Sequence, residues 1–161
     1  SADYLHPQDY IPALSLNCKR RKTMEENPMR LAGCLFWTEK NGNRYILLSL
    51  PESNNPFFPP GYYSVPSVAA EPGENLLDAA MRAGFECTGV LDNKAKAALF
   101  WSTAGDGIDY SVYSLRVSPS VKAGRNSAWI PLDGSLDDVS ALGRFHLTAF
   151  RGSIAEKKAV S

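Results

Sequence analysis

Charged side chains in the middle of the sequence recur at the spacing of one helix face. Asp78, Arg82 and Glu86 follow one another at intervals of four residues, and Glu74 precedes them by four more. Residues at this spacing are neighbours on a helix surface. Their carboxylates are oxygen ligands of the kind that Mg²⁺ prefers. The same face can instead form ion pairs of Arg82 with Asp78 and with Glu86, worth about 0.2–0.5 kcal/mol each.

The apolar residues of the same stretch predict the helix that carries these charges. Leu77, Ala80, Met81 and Gly84 fall at the i, i+3, i+4, i+7 positions of a buried stripe. The sequence predicts that the helix begins near Glu74 and that Gly89 ends it. One face then packs against the rest of the protein, and the other is available for chemistry.

This stretch resembles the Nudix box. The family pattern is Gly, five residues, Glu, seven residues, Arg-Glu, an aliphatic residue, any residue, Glu-Glu, any residue, Gly and an aliphatic residue. The positions that match with the spacing intact are Glu74, Arg82, Glu86, Gly89 and Val90. The resemblance covers roughly residues 30 to 150, and outside the box it includes Cys34 to Trp37, Tyr45 to Leu50, Tyr63, Val65, Pro66 and Ala128 to Ile130.

The resemblance implies a fold and a domain division. The fold is α/β, an α/β/α sandwich with a mixed β-sheet, and the most similar branch is that of the diphosphoinositol polyphosphate phosphohydrolases. The Nudix-like domain is expected at residues 30–161, after an N-terminal extension at residues 1–29 that contains a basic run. In the family, the box glutamates help to bind a divalent metal and, in some members, activate water.

The box departs from the family pattern at the positions that carry its chemistry. Ser67, Val68 and Ala69 stand where that branch has three glycines, and Ala83 and Cys87 stand where the pattern has glutamates. Glycines let a backbone approach phosphate closely and adopt positive φ, which Val68 disfavours. The resemblance thus leaves one catalytic and metal-binding candidate, Glu86, at a site where Ala83 and Cys87 mark lost carboxylates. Glu74, Arg82 and Gly89 are expected to be its structural scaffold.

These departures predict a Nudix-fold protein that is hydrolytically impaired and binds a phosphorylated ligand, an RNA or a protein partner. Mg²⁺ requires near-octahedral oxygen coordination, and a soft cysteine sulfur suits other metals. The alternative is a diphosphate hydrolase dependent on Mg²⁺ or Mn²⁺, acting on diphosphoinositol polyphosphates, dinucleoside polyphosphates or capped RNA. It requires that Ala83 is an engineered substitution or that Asp78, Glu71, Asp106 or Asp109 completes the site. A structural subunit of a larger assembly is a third alternative.

Basic residues before the first predicted strand are the candidate ligand contacts. Lys19, Arg20, Arg21 and Lys22 are consecutive, and Arg30 stands where the resembling branch has a basic residue. Clustered Lys and Arg neutralise phosphates of inositol polyphosphates or RNA. Ser67 is the further ligand-binding candidate. It lies in the segment before the box helix, residues 66–75, which we call the box loop. The alternative for the basic run is a solvated surface patch.

Composition sets the remaining expectations. The chain has 161 residues, which suits one domain, and its 17 basic and 17 acidic residues balance. No apolar run approaches the ~20 residues needed to span a bilayer, so a soluble protein without a membrane partner is expected. Three cysteines without C-x-x-C spacing favour reduced thiols and an intracellular location, cytoplasmic or nuclear. A secreted origin stays open, because the sequence begins at Ser1.

The other elements are predicted from periodicity and turn residues. Asn41, Gly42 and Asn43 indicate a hairpin between two apolar strands. Further strands are predicted at Ala95 to Thr103, Ile108 to Val117 and around Trp129, with helices carrying Leu136 to Leu142 and Phe145 to Lys158. In the second of these strands, alternation predicts that one face is buried, with Ile108, Tyr110, Val112 and Leu115 pointing inward. Phe57 and Phe58 are expected to cover the core or to stack on a ligand, and Lys122 and Arg125 are a candidate second phosphate contact. His146 is expected to be a hydrogen-bonded surface or core residue.

Overall fold

A computed structural model describes residues 28–52, 58–124 and 126–160, the last five of these by backbone alone. The predicted basic run at Lys19 to Lys22, together with Phe57 and Arg125, lies outside the described residues. The first strand begins at Met29, next to the predicted domain boundary at residue 30. The N-terminal extension itself stays a prediction.

In the described residues, six strands form one mixed sheet. They are β1 (Met29–Lys40), β2 (Asn43–Ser49), β3 (Ser67–Ala69), β4 (Ala98–Gly105), β5 (Ile108–Arg116) and β6 (Ser127–Pro131). The order across the sheet is β4-β5-β1-β2-β6, and β3 pairs with the first part of β1. β1 runs parallel to β5 and antiparallel to β2 and β3. The long central strand β1 therefore connects all the parts of the sheet that surround the box.

The hairpin between β1 and β2 is confirmed. Lys40 pairs with Asn43, and the two residues between them, Asn41 and Gly42, have φ of 53° and 79°. Two positive φ values in a two-residue loop define a type I′ turn, which asparagine followed by glycine accommodates with little strain. This turn fixes the register in which Thr38 faces Tyr45 and Phe36 faces Leu47.

In the part of the chain that the structure describes, two α-helices cover the two faces of the sheet, as the sandwich prediction requires. They are α1 (Leu76–Thr88) and α2 (Ala141–Val160). Because successive strand residues point to opposite faces, β1 divides its side chains between two cores. Ala32, Cys34 and Phe36 pack with α1, whereas Leu31 and Leu35 pack with α2. Phe58 is buried in the α2 core, in agreement with its predicted role of covering the core.

Two predicted elements are wrong in their extent. β4 begins at Ala98, because Lys94–Lys96 form a 3-10 turn capped by the side chain of Asn93. The helix predicted to carry Leu136 is absent at that residue, and α2 begins only at Ala141. The backbone before it is bound elsewhere, since Tyr63 N donates to Asp138 O and Ser140 N donates to Tyr63 O. α2 then continues through Gly152. None of the helices in the described residues is long and apolar enough to cross a membrane.

Candidate functional site

The box helix α1 is shorter than predicted at its first end and ends where predicted. It begins at Leu76, with the Asn75 side chain accepting a 2.8 Å hydrogen bond from Asp78 N. An asparagine cap satisfies one of the free N–H groups of the first turn. Glu74 lies outside the helix, because its Oε1 accepts a hydrogen bond from Glu71 N in the preceding loop. At the other end, Gly89 has φ of 77° and its N–H donates to Phe85 O.

Arg82 joins the box loop to the box helix through three partners. It donates two hydrogen bonds to the Glu74 carboxylate, at 2.9 and 3.1 Å, and two to the Glu86 carboxylate, at 3.0 and 3.4 Å. It also donates to the carbonyl oxygen of Ala69 at 2.9 Å. These bonds from Arg82 lower the pKa of Glu74, and the bonds to Glu74 in turn raise the pKa of Arg82. The charges of the box are therefore fixed in place by one another.

The predicted ion pair of Arg82 with Asp78 is wrong. Asp78 binds Lys94 instead, with Nζ and Oδ1 2.9 Å apart. The guanidinium of Arg82 is directed toward Glu74, which lies eight residues earlier and can be reached because the chain there has left the helix. A doubly hydrogen-bonded Arg–carboxylate pair is stronger than a single exposed contact at i, i+4.

Arg30 also contacts the box loop. It lies near the start of β1, and its guanidinium donates a 2.7 Å hydrogen bond to the backbone carbonyl of Glu74. Because a carbonyl takes only part of the hydrogen-bonding capacity of the five guanidinium N–H groups, other donors are left over. The predicted ligand contact of Arg30 therefore stays a prediction beside a structural role that the geometry makes explicit.

The segment that replaces the three glycines forms strand β3. Val68 pairs with Ala32 of β1 in an extended conformation, so it needs none of the positive φ that glycine permits. The buried Ser67 hydroxyl shares a 2.6 Å hydrogen bond with Tyr110 and donates to Val65 O at 3.0 Å. A Cβ at Gly33 would lie 2.7 Å from this hydroxyl, so glycine there makes room for Ser67. The Ser67 side chain is thus engaged within the fold.

Ala83 and Cys87 lie on the side of α1 that packs inward. Ala83 is fully buried, and Cys87 is half-buried. Burial raises the pKa of the Cys87 thiol, and the neighbouring Glu86 and Glu52 carboxylates raise it further, against hydrogen bonds from Ser49 and the Ser67 backbone. The thiol is therefore protonated at neutral pH and is a poor metal ligand and a weak nucleophile. Burial likewise raises the pKa of Cys34 to about 12.

Solved structures show which fold this arrangement belongs to. The Nudix domain of Shewanella oneidensis NrtR, crystallised with ADP ribose, matches with a TM-score of 0.64 and 16% identity over 83% of this chain and 92% of that one. The Caenorhabditis elegans Ap4A hydrolase matches with a TM-score of 0.55 and 18% identity over 80% of this chain and 97% of that one. The chain has the Nudix fold.

A further structural match comes from a protein complex. The C-terminal domain of mouse MUTYH, crystallised with human PCNA, matches with a TM-score of 0.62 and 18% identity over 78% of this chain and 89% of that one. At the level of sequence alone, neither a family model nor a curated protein matches. The relationship to Nudix proteins is therefore visible in the fold and in the spacing of the box residues.

The box of this Nudix fold does not fit the divalent metal on which Nudix hydrolases generally depend. Glu86 is bound to Arg82, Ala83 offers no ligand atom, and Cys87 offers a neutral thiol. Within residues 28–52, 58–124 and 126–155, no three His, Cys, Asp or Glu side chains are grouped so that they could hold a metal ion. The alternative in which Asp78, Glu71, Asp106 or Asp109 completes the metal site with Glu86 is therefore not supported by any grouping of ligands in these residues.

Sequence reasoning missed part of the surroundings of the box. Tyr110 was predicted to point inward but not to bond Ser67, and Gly33 had no predicted role. Ser49 and Glu52 lie beside Cys87 although they are far from it in sequence. The only available signal was the serine in place of glycine at position 67, since a buried hydroxyl needs a partner.

Proposed function

We propose that this Nudix-fold protein binds a phosphorylated ligand and does not hydrolyse it. The observation that carries the proposal is the loss of metal-binding character at the three positions of the box where the chemistry occurs. Ala83 is apolar, Cys87 is neutral, and Glu86 is held by Arg82. Metal-assisted hydrolysis of a diphosphate needs a cation to neutralise the phosphates and to orient or ionise a water. One paired carboxylate does not supply that coordination.

The retained half of the box supports a surviving structural role. Glu74 and Arg82 form the ion pair that holds the loop against α1, and Gly89 ends the helix. These contacts stabilise the fold whether or not the protein is an enzyme. Candidate phosphate donors are Arg30 at the box loop and the basic residues Lys19 to Lys22 before it. The NrtR domain crystallised with ADP ribose and the Ap4A hydrolase also suggest phosphorylated molecules as the ligand class.

The experiment measures turnover and binding side by side. The panel consists of a diphosphoinositol polyphosphate, a dinucleoside polyphosphate and a capped RNA, with Mg²⁺ or Mn²⁺. The expected result is no phosphate release and salt-sensitive binding of at least one compound, since binding to clustered phosphates weakens as salt rises. Metal-dependent turnover by this chain that is lost in Glu86→Gln would contradict the proposal and support the active hydrolase.

A double variant tests whether the box was disabled by these two substitutions. Ala83→Glu with Cys87→Glu restores both carboxylates of the family pattern. Because Ala83 is fully buried, the far-ultraviolet spectrum and unfolding midpoint of the variant must first show that it folds. Metal-dependent turnover by the folded variant would identify the ligand as a former substrate. If the parent chain binds nothing in the panel, a protein partner becomes the better function, as in the MUTYH–PCNA complex.

A further inference from the structure

A cavity of about 370 Å³ lies at the hairpin end of the sheet, away from Cys87 and Glu86. Its lining residues are Thr38, Lys40, Asn41, Tyr45, Pro119 and Trp129. They come from the β1–β2 hairpin, from β6 and from the loop that follows β5. A volume of this size falls within the range of small-molecule sites in proteins, about 300–1,000 Å³.

The cavity continues the sheet face that α1 covers. Thr38 follows Phe36 by two residues on β1 and therefore points to the same face, as Tyr45 does relative to Leu47 on β2. α1 covers Phe36 at Gly84 but contributes nothing to the cavity lining. On β2, Tyr45 lies four residues from Ser49, which neighbours Cys87, and four strand residues span roughly 13 Å. The cavity and the box are thus separate places on one face.

The walls of the cavity are held in position by hydrogen bonds within the protein. Trp129 Nε1 donates to the carbonyl oxygen of Val121 at 2.8 Å, which fixes the plane of the indole ring. Thr38 Oγ1 donates to the carbonyl oxygen of Val117, also at 2.8 Å. Both bonds attach the loop after β5 to the sheet. Binding of a ligand in this cavity would therefore cost little free energy for ordering these two side chains.

The lining combines two aromatic rings with an unpaired positive charge. None of the six lining residues is acidic, and Lys40 has no acidic partner in the part of the chain that the structure describes. Unlike Lys40, the neighbouring Arg44 and Arg116 each lie 3.8 Å from a carboxylate oxygen of Glu39, which is on the other face of β1. The cavity therefore suits a flat ring that carries a negative group.

We propose that this cavity binds a nucleotide, with the base against Tyr45 and the phosphate at the ammonium group of Lys40. Aromatic side chains beside a cation bind nucleotides whichever base they carry, because every base has a face that can stack on an aromatic ring. The nucleotide can be free or part of a single-stranded RNA, which share this chemistry. The proposal goes beyond the function proposed for the box and does not depend on it.

The test titrates the full chain with AMP and, separately, with a short single-stranded adenine RNA. Binding is measured by calorimetry, and the Trp129 indole N–H is followed by ¹H–¹⁵N NMR. Tyr45→Leu should weaken binding about tenfold through loss of stacking. Lys40→Gln should weaken it several-fold and lower its dependence on salt. Tyr45→Phe keeps the ring and should bind like the parent chain. Lys96→Gln removes the same charge outside the cavity and is the matched control.

Each outcome decides the proposal. Binding of AMP, or of the RNA alone, with losses in Tyr45→Leu and Lys40→Gln but not in the controls, supports the cavity and identifies the source of the nucleotide. Absence of saturable binding of both ligands overturns it. Binding that is unchanged in Tyr45→Leu and Lys40→Gln but altered by Cys87→Glu places the nucleotide at the box. That result overturns this inference and leaves the function proposed for the box standing.

Discussion

The two faces of the sheet satisfy their polar groups in opposite ways. On the α1 face, Arg82 is bound to Glu74 and Glu86, and Asp78 is bound to Lys94. On the α2 face, His146 is buried with neither ring nitrogen hydrogen-bonded to any described residue. The first face keeps its geometry through paired charges. The second also contains the buried hydrogen bond between Ser64 and Ser140, but it buries the His146 ring against apolar and aromatic side chains with no hydrogen bond to a described residue.

The surroundings of His146 explain why it stays neutral. Its ring contacts those of Trp101, Tyr110 and Phe145, with centroid distances of 4.9, 5.5 and 6.3 Å. Burial lowers the pKa of His146 to about 3, from an ordinary value of 6.5. The prediction that His146 is a core residue is confirmed, but the hydrogen bond expected for it is absent among the described residues. Unpaired buried polar atoms destabilise a fold, so the packing of α2 has to offset them.

The largest effect is expected where the paired face is broken. Arg82→Met removes the bonds to Glu74, Glu86 and Ala69 while keeping much of the side-chain length. We expect a loss of about 1.5–3 kcal/mol in the free energy of unfolding, the range for hydrogen bonds to charged groups, and the lower part of it because Arg82 is partly exposed. Urea denaturation measures it. Arg44→Met, which removes a single 3.8 Å contact with Glu39, is the control and should cost about 0.5 kcal/mol or less. Equal losses in both variants would remove the distinction between the two faces.

The contribution of His146 on the α2 face is tested by the pH dependence of the free energy of unfolding. The unfolded chain takes up a proton at His146 below pH 6.5, whereas the folded chain does so only near pH 3. Stability from this difference is fully present above pH 6.5 and is lost as the pH falls, by about 1.4 kcal/mol per unit. Between pH 6.5 and pH 5 the loss from this group is about 2 kcal/mol. His146→Phe should reduce the pH dependence by that amount. An unchanged pH profile of unfolding in the variant would show that His146 has a partner or reaches water.

The smallest effects are expected from replacing one glycine in each helix by alanine, because the two glycines have different surroundings. A Cβ at Gly84 of α1 would lie 2.6 Å from the buried ring of Phe36, whereas one at Gly152 of α2 would meet nothing within 4 Å. Overpacking costs about 1–3 kcal/mol, and alanine returns up to about 1 kcal/mol of helix propensity. Gly84→Ala should therefore destabilise the protein by about 1 kcal/mol net, and Gly152→Ala should stabilise it by about as much. Thermal unfolding of both variants measures the difference. Equal signs would show that α1 can shift away from Phe36.

Gly84 also explains a feature of the box that the family pattern does not predict. The pattern places an aliphatic residue at this position, and here the Phe36 ring fills the corresponding space.

The sequence predicted the elements that local chemistry decides. The turn at Asn41 and Gly42, the end of α1 at Gly89, and the inward residues of β5 all follow from φ preferences or from periodicity. The Nudix fold was implied by the resemblance to the Nudix box of the stretch that contains Glu74, Arg82 and Glu86. The boundaries at Leu76 and Ala141 did not, because they depend on Glu71 N and on Tyr63, whose bonds hold the preceding segments out of the helices.

The contacts between distant segments were decided only by the tertiary structure. These contacts depend on residues that the fold brings together from separate segments. Examples are the pairing of Arg82 with Glu74, the hydrogen bond of Ser67 with Tyr110, the close approach of Ser67 to Gly33 and the surroundings of His146. The sequence by itself determined that the box keeps its scaffold and lacks two of its carboxylates, since that is a matter of residue type and spacing. Burial then fixed the protonation of Cys87 and His146, because desolvation depends on what surrounds a group and not on its place in the chain.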